Sequence, residues 1–411
     1  MRRVVVTGIG AVTPLGNDAE ATWRALAEGR SGIGPLTTFD TSGFPVRIGG
    51  QVHDFPPPKR LPEGLNWRHL SRAGQFGVVA AAEAIRASGV RPESVSDRRG
   101  VAMGASMGRP DLQMLVDIGH SGKIERQPPS RTLAGNQNLP CAAMTRMLNA
   151  SGPLIGTSTA CSGSGHAIGE AMRVIQDGDA DLMLAGGYDS LTSWLDVLGF
   201  SLLGALASGG EDEPQRASRP FDARRSGFVL GEGAVVFMLE ELAHARARGA
   251  EILAELLGYG STLNAWRITD SPPDGSGAIE AMQAALADAD LHADAVDYVA
   301  AHGTSTPGND VSETRAIKKV FGNHAYRLLI SSPKSMSGHL TAAAAGLNLL
   351  AAIGGIRHGI VAPTINLDRP GHGLDLDYVP HRARPARIRT AMVNAFAFGG
   401  SNTVLVVGAQ R

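Results

Sequence analysis

The stretch Gly156-Thr157-Ser158-Thr159-Ala160-Cys161-Ser162-Gly163-Ser164-Gly165-His166 constrains the fold of this chain more than any other. It is made almost entirely of small residues, so the backbone can turn sharply there, and it carries one thiol near its centre. Pro153 to Ser158 reads as a strand leading in, and Ala167 to Ile175 carries apolar positions at helical spacing leading out. A strand that turns through small residues into a helix is the building unit of an α/β protein. Cys161 then sits at or just before a helix N-terminus, where unpaired N–H groups and the helix dipole favour a thiolate. Small neighbours admit a substrate carbonyl and leave backbone N–H groups free to hold an oxyanion. The competing reading is a buried structural cysteine in a tight turn, since free cysteine is among the most buried residue types.

With 411 residues the chain can build a large core or two fused domains. Its net charge of −1 points to neither nucleic acid nor an anionic membrane, so an acidic partner must be met by a local basic patch. The two cysteines, Cys141 and Cys161, form neither a disulfide framework nor a zinc pattern. They fit a reducing cytosol, where a lone cysteine with distant histidines is a nucleophile candidate. Met1 to Val6 lacks the apolar core and cleavage site of a signal peptide. No apolar run approaches transmembrane length, so a cytoplasmic protein is expected.

In chain order, Val4 to Gly8 reads as a buried strand. Gly8-Ile9-Gly10 begins like a dinucleotide-binding loop, but Thr13 stands where the third glycine belongs and Pro14 follows it. A first helix is expected from Asp18 to Glu28, capped by Asn17 or Asp18. An irregular excursion follows to Leu65, then a long helix from Arg68 to Ser88 and a short strand from Val101 to Gly104. Pro110, Pro128, Pro129 and Pro140 break the stretch 107–145, read as a cap inserted between core elements. Asp181 to Gly187 and Ala234 to Glu240 are further strands. From Ile252 the order of strand, helix and strand begins again, with a strand from Ile252 to Tyr259 and a helix from Gly277 to Ala289. This divides the chain into halves 1–250 and 251–411, as a weak internal duplication would.

Three islands in the second half carry chemistry. They are Ala301-His302-Gly303-Thr304-Ser305-Thr306-Pro307 followed by Asp310 and Glu313; Lys334-Ser335-Met336-Ser337-Gly338-His339; and Asn394-Ala395-Phe396-Ala397-Phe398-Gly399-Gly400. Each lies at a strand end, the usual place for active-site groups in α/β folds. Taken singly, each histidine reads as a hydrogen-bonded structural residue, Lys334 as a surface charge and the glycine loop as a turn. Together they offer one thiol, two imidazoles and one ammonium. No metal is expected, because the histidines are not at helical ligand spacing and no zinc-hydrolase acid accompanies them.

These motifs, with Arg3-Val4-Val5-Val6-Thr7-Gly8 and Arg219-Pro220-Phe221-Asp222, make the whole chain resemble a β-ketoacyl-acyl carrier protein synthase of the elongating type, in the thiolase superfamily. The resemblance implies a five-layered α-β-α-β-α fold of two duplicated halves and a dimer. It implies decarboxylative condensation of an acyl group carried on Cys161 with a malonyl group on the carrier protein, in fatty-acid or polyketide synthesis. Carried over by resemblance, His302 and His339 hydrogen-bond the malonyl thioester carbonyl. Lys334 orders the site with Glu313 and Asp310 as carboxylate support. Thr304 and Thr306 hold the phosphopantetheine arm, Phe398 is the aromatic gate, and Met107 controls acyl-pocket depth. The Cys161 and Phe398 N–H groups would form the oxyanion hole. No cofactor is implied beyond the phosphopantetheine that arrives on the carrier protein. Carrier proteins are acidic, and Arg68 and Arg72 on the first long helix are the expected docking cations, with a solvated helix face as the alternative.

Ser162 to His166 after the cysteine departs from the commonest family continuation, as does the cap from Arg109 to Pro140. A thiolase is disfavoured because the C-terminal glycine loop has Phe396 and Phe398 but no second cysteine. The remaining alternatives are the ketosynthase subunit of a heterodimer with a chain-length-determining homologue, and a homologue that only binds an inhibitor of condensing enzymes.

Overall fold

Five strands of the first half form one unit: β1 (Val4–Val12), β2 (Arg99–Gly104), β3 (Leu154–Thr157), β4 (Leu182–Ser190) and β5 (Glu232–Glu241). Five of the second half form another: β6 (Ala254–Leu263), β7 (Tyr298–Ala300), β8 (Leu329–Ser331), β9 (Thr390–Phe396) and β10 (Ser401–Gly408). Their spatial orders are β3-β2-β4-β5-β1 and β8-β7-β9-β10-β6, the same topology used twice. In each half the first three strands run parallel and the last two join antiparallel. A short antiparallel pairing of Val4–Val6 with Ala254–Leu256 joins the two sheets edge to edge. A computed structural model describes residues 1–57, 61–63, 65–106, 112–123, 125 and 133–410 of the chain.

The central strands read as unbroken apolar runs because both of their faces are covered. Val235 to Leu239 of β5, for example, is wholly buried. Helix α1 (Ala19–Glu28) starts where the Asp18 side chain accepts the Ala21 N–H, and it ends at Gly29 with φ 69°. Helix α2 (Arg72–Ser88) lies on the outer face of β1, β4 and β5. Contact with β1 is backbone to backbone: a Cβ at Gly10 would stand 1.9 Å from the Ala80 carbonyl oxygen. Within the cap, α3 (Asn138–Leu148) buries Cys141 and Met144.

Helix α4 (Gly163–Asp177) follows the Cys161 turn, and α5 (Trp194–Leu202) follows β4. In the second half, α6 (Ser276–Asp288) covers β6 and β10 from outside, with α7 (Pro307–Phe321) beside it. Helix α8 (Ala344–His358) is buried at every residue from Ala344 to Gly355. A helix apolar on all sides belongs in an interior layer. Both α4 and α8 touch strands of both sheets, so they form the middle of five layers, α-β-α-β-α.

The long helix begins at Arg72 rather than Arg68. Ser71 caps it by accepting the Gly74 N–H, and Trp67–His69 forms a separate single turn before the cap. Arg68 and Arg72 therefore sit on different elements. Part of the expected cap, including Met107, lies outside the described residues. Among the described residues, no helix is long and apolar enough to cross a membrane.

Candidate active site

Cys161 is the middle residue of a single helical turn, Ala160–Ser162, that runs straight into α4. Ala160 holds φ at 46°, a left-handed conformation that a side chain resists. The turn is pinned from the other half of the chain. Ser162 Oγ donates to the Ala395 carbonyl at 3.2 Å and the Ser401 carbonyl at 2.9 Å, at the facing ends of β9 and β10. Cys161 is half-buried, whereas Cys141 is buried in a separate part of the core with α2 and α3. His166, in the part of this stretch that departs from the family pattern, turns from the thiol. Its ring bridges Thr159 Oγ1 at 2.9 Å and Ser261 Oγ at 3.0 Å.

His339 Nε2 lies 3.0 Å from Cys161 Sγ. The Thr341 N–H donates to His339 Nδ1 at 3.2 Å, which leaves Nδ1 without a proton in the neutral ring. The proton is therefore on Nε2, directed at the sulfur. His302, just past β7, stands nearly perpendicular to His339, with ring centroids 5.5 Å apart. Lys334 Nζ donates to the His302 carbonyl at 2.6 Å and sits 3.5 Å from His302 Nδ1. An ammonium beside Nδ1 favours a lone pair there, which again places the ring proton on Nε2. Both histidines are more than nine-tenths buried. Burial, with the positive charge of Lys334, holds both well below the ordinary histidine range, so they are neutral at physiological pH.

Burial pushes the Cys161 thiol up to about 11, against the pull of the Lys334 ammonium and of the Phe398 and Cys161 N–H groups. Both N–H groups thus lie close enough to the sulfur to favour its thiolate. Burial brings Lys334 down to about 8, opposed by the charges of Glu313, Cys161 and Asp310.

The two carboxylates act on Lys334 through charge, while their hydrogen bonds go elsewhere. Glu313 accepts the N–H groups of His302 and Gly303 at 2.8 Å each and Asn394 Nδ2 at 2.9 Å. Its hydrogen bonds hold the His302 segment, and Lys334 feels it through charge rather than through a bond. Asp310 accepts the Phe221 N–H at 2.8 Å and faces the Arg225 guanidinium at 3.6 Å, so it fastens the loop 219–225. Burial pushes Asp310 up to about 6.

Thr304 and Thr306 share a hydrogen bond of 2.9 Å, and Thr306 also caps α7 by accepting the Asn309 N–H. Both line the cleft that reaches Cys161, His302, His339 and Phe398, and its apolar wall includes Leu191, Phe200, Leu203 and Phe228. Phe228 packs edge-on against both His339 and Phe398.

Arg72 does not reach out to a partner. Its guanidinium bonds Glu232 Oε1 at 2.6 Å and the Val52 carbonyl at 2.6 Å, and it lies over the Phe76 ring. Glu232 is fully buried and would be left short of a counter-charge without it. Arg68 is exposed. Sequence reasoning also passed over Asp189, a carboxylate more than nine-tenths buried at the end of β4. Its one signal is an acid closing an otherwise apolar and glycine-rich strand.

This chain matches two family models, the β-ketoacyl synthase N-terminal domain over residues 1–245 and the C-terminal domain over residues 253–368. The chain belongs to the β-ketoacyl synthase family. It is 43% identical to the 3-oxoacyl-[acyl-carrier-protein] synthase 2 of Vibrio harveyi, over 98% of either chain. Among solved structures it is similar to the ishigamide ketosynthase/chain length factor, with TM-score 0.91 and 33% identity over all of both chains. It is equally similar, with TM-score 0.91 and 34% identity over all of both chains, to a type II ketosynthase solved with its acyl-carrier protein and bound to the hexaketide. The β-ketoacyl synthases are condensing acyltransferases, and the thiolase-like fold, the thiol and both histidines are in place here.

Proposed function

We propose that this chain extends an acyl chain by two carbons, by decarboxylative condensation with a malonyl group on an acyl carrier protein, in fatty-acid or polyketide synthesis. The observation that carries this reading is the pair of buried imidazoles in the cleft beside Cys161, with the Thr341 N–H on His339 Nδ1 and the Lys334 ammonium beside His302 Nδ1, an arrangement that favours a neutral ring with its proton on Nε2 in each. Two N–H donors without positive charge stabilise a developing enolate oxygen and take no part as bases.

The steps follow from the geometry. Cys161 sulfur attacks the acyl thioester of the carrier's phosphopantetheine arm, with the Cys161 and Phe398 N–H groups on the oxyanion. The carrier thiol leaves with the proton that Cys161 gives up. Sulfur in the new thioester no longer competes for the His339 N–H, which is then free for the malonyl carbonyl. The bond to the malonyl carboxylate breaks, CO2 leaves, and its electron pair becomes an enolate held by His302 and His339. The enolate carbon attacks the acyl carbonyl, and Cys161 leaves as thiolate. Thr304 and Thr306, which line the cleft, hold the phosphopantetheine arm in this reading, and the chain needs no cofactor of its own.

Carrier-protein binding is supported by the neighbour solved with its acyl-carrier protein, and Arg68 is the remaining expected docking cation. Dimer formation is supported by β3, the free edge of the first sheet, where Leu154 is 52% exposed. An open edge with an exposed apolar residue suits pairing with the same edge of a second chain. That partner is a second copy or, as the ketosynthase/chain length factor neighbour suggests, a homologue. Turnover of acyl and malonyl carrier protein by the purified chain, read by mass spectrometry, tests the reading. Absence of a β-ketoacyl product with Cys161 still open to thiol labels would favour a binding homologue.

A further inference from the structure

Asp189 forms no hydrogen bond with Cys161 or either histidine, but it is a buried carboxylate beside them whose charge adds to burial in holding the Cys161 thiol up. Such a group is costly unless its oxygens are met. Oδ2 accepts from Ser106 Oγ at 2.6 Å, from Thr341 Oγ1, and from the Ala342 N–H at 3.0 Å. Oδ1 accepts the Ser190 N–H at 3.1 Å. Two of the four donors thus come from Thr341 and the residue after it.

Thr341 is where the carboxylate meets the catalytic histidine. Its φ is 47°, a left-handed conformation in a β-branched residue. Such a conformation is strained and persists only where its surroundings enforce it. In this conformation the Thr341 N–H points at His339 Nδ1. Without that donor, a neutral imidazole can carry its proton on either nitrogen. The Nδ1–H form would turn a lone pair on Nε2 toward the cleft, replacing a donor with an acceptor where the enolate oxygen must sit.

We propose that Asp189 is a positioning residue for decarboxylation, which holds Thr341 in its left-handed conformation and so keeps the His339 proton on Nε2. This inference rests on the reading of His339 as an enolate donor. Ser106 ties the same carboxylate to the wall of the cleft, so one buried acid links the acyl side of the site to the imidazole side.

The test uses the full chain with acyl-loaded and malonyl-loaded carrier protein. It measures acylation of Cys161 by intact mass and CO2 release from the malonyl carrier. Wild-type protein must do both; if it releases no CO2, the functional reading itself fails, whatever Asp189 does. Asp189→Asn should slow CO2 release about 10- to 100-fold, less than the about 10²–10³-fold expected for deleting a donor outright. Acylation should not fall, because losing the Asp189 charge favours the Cys161 thiolate. Thr341→Val, which removes only the hydroxyl at nearly constant shape, should give the same split, and Thr341→Ser should restore it. In a His339→Gln background, where no tautomer exists, Asp189→Asn should have no further effect on CO2 release. Equal loss of both steps, or losses that simply multiply in the His339→Gln background, would overturn the inference. If Asp189→Asn does not fold, the Thr341→Val and Thr341→Ser pair decides: equal CO2 release in both would overturn it.

Discussion

His339 Nε2 and Cys161 Sγ lie 3.0 Å apart, and the Thr341 N–H on Nδ1 assigns the imidazole proton to the nitrogen that faces the sulfur. The histidine therefore donates to the sulfur and does not draw a proton from it. This separates two jobs that a cysteine–histidine pair often shares. In the proposed reaction, loading the acyl group relies on the oxyanion hole and the nearby Lys334 charge, while removing CO2 relies on the two imidazole N–H groups.

Cys161→Ala should abolish the acyl-enzyme mass increment while leaving malonyl decarboxylation in place, because no thiol is needed to hold an enolate. Intact mass and CO2 release on one sample check both halves. An acyl increment that survives would move the nucleophile elsewhere.

The pH dependence should be one-sided. Both imidazoles are held well below the ordinary range, so CO2 release should not fall between pH 7 and 6. On the basic side, Lys334 at about 8 loses its proton and with it the constraint on His302 Nδ1. CO2 release should therefore fall as pH rises through about 8, and Lys334→Met should remove that limb. Stability changes in the opposite sense. The folded pKa of Lys334 lies below its ordinary value, so the unfolded chain binds more protons above about pH 8. The cost of burying this ammonium is therefore relieved as pH rises.

Arg68 and Arg72 should separate cleanly. Arg68→Glu should raise the KM for carrier protein, more so at low salt, and leave the melting temperature unchanged. Arg72→Ala should lower stability by about 2–4 kcal/mol, somewhat under a fully buried pair because the guanidinium is partly exposed. Thermal melts and carrier-protein titrations of the two variants check this. An Arg72 variant with an unchanged melting temperature would return that residue to the docking face.

How far the sequence could be read follows from these same residues. The convergence of Cys161, His302, Lys334 and His339 was legible because each sits in a short run of small or unusual residues at a strand end, where local composition carries the signal. The restart near Ile252 was legible because β6 begins there as an apolar run, at Ala254. Arg72 was misjudged because its partner Glu232 is 160 residues away, and nothing local announces a buried carboxylate beneath a helix start. Ser71 separated Arg68 from the helix by a cap that outweighed the continuing helical pattern. Glu313 was tied to Lys334 by charge alone, whereas its hydrogen bonds go to backbone N–H groups that no side-chain pattern reports. Asp189 escaped notice because its role lies in what it does to Thr341, across 152 residues.

The central claim is that His302 and His339 serve decarboxylation as paired donors. The most direct measurement compares CO2 release and Cys161 acylation in His302→Ala and in His339→Ala. Loss of about 10²–10³-fold in CO2 release, with acylation much less affected, is the predicted result for each. Equal loss of the two steps in both variants would contradict it.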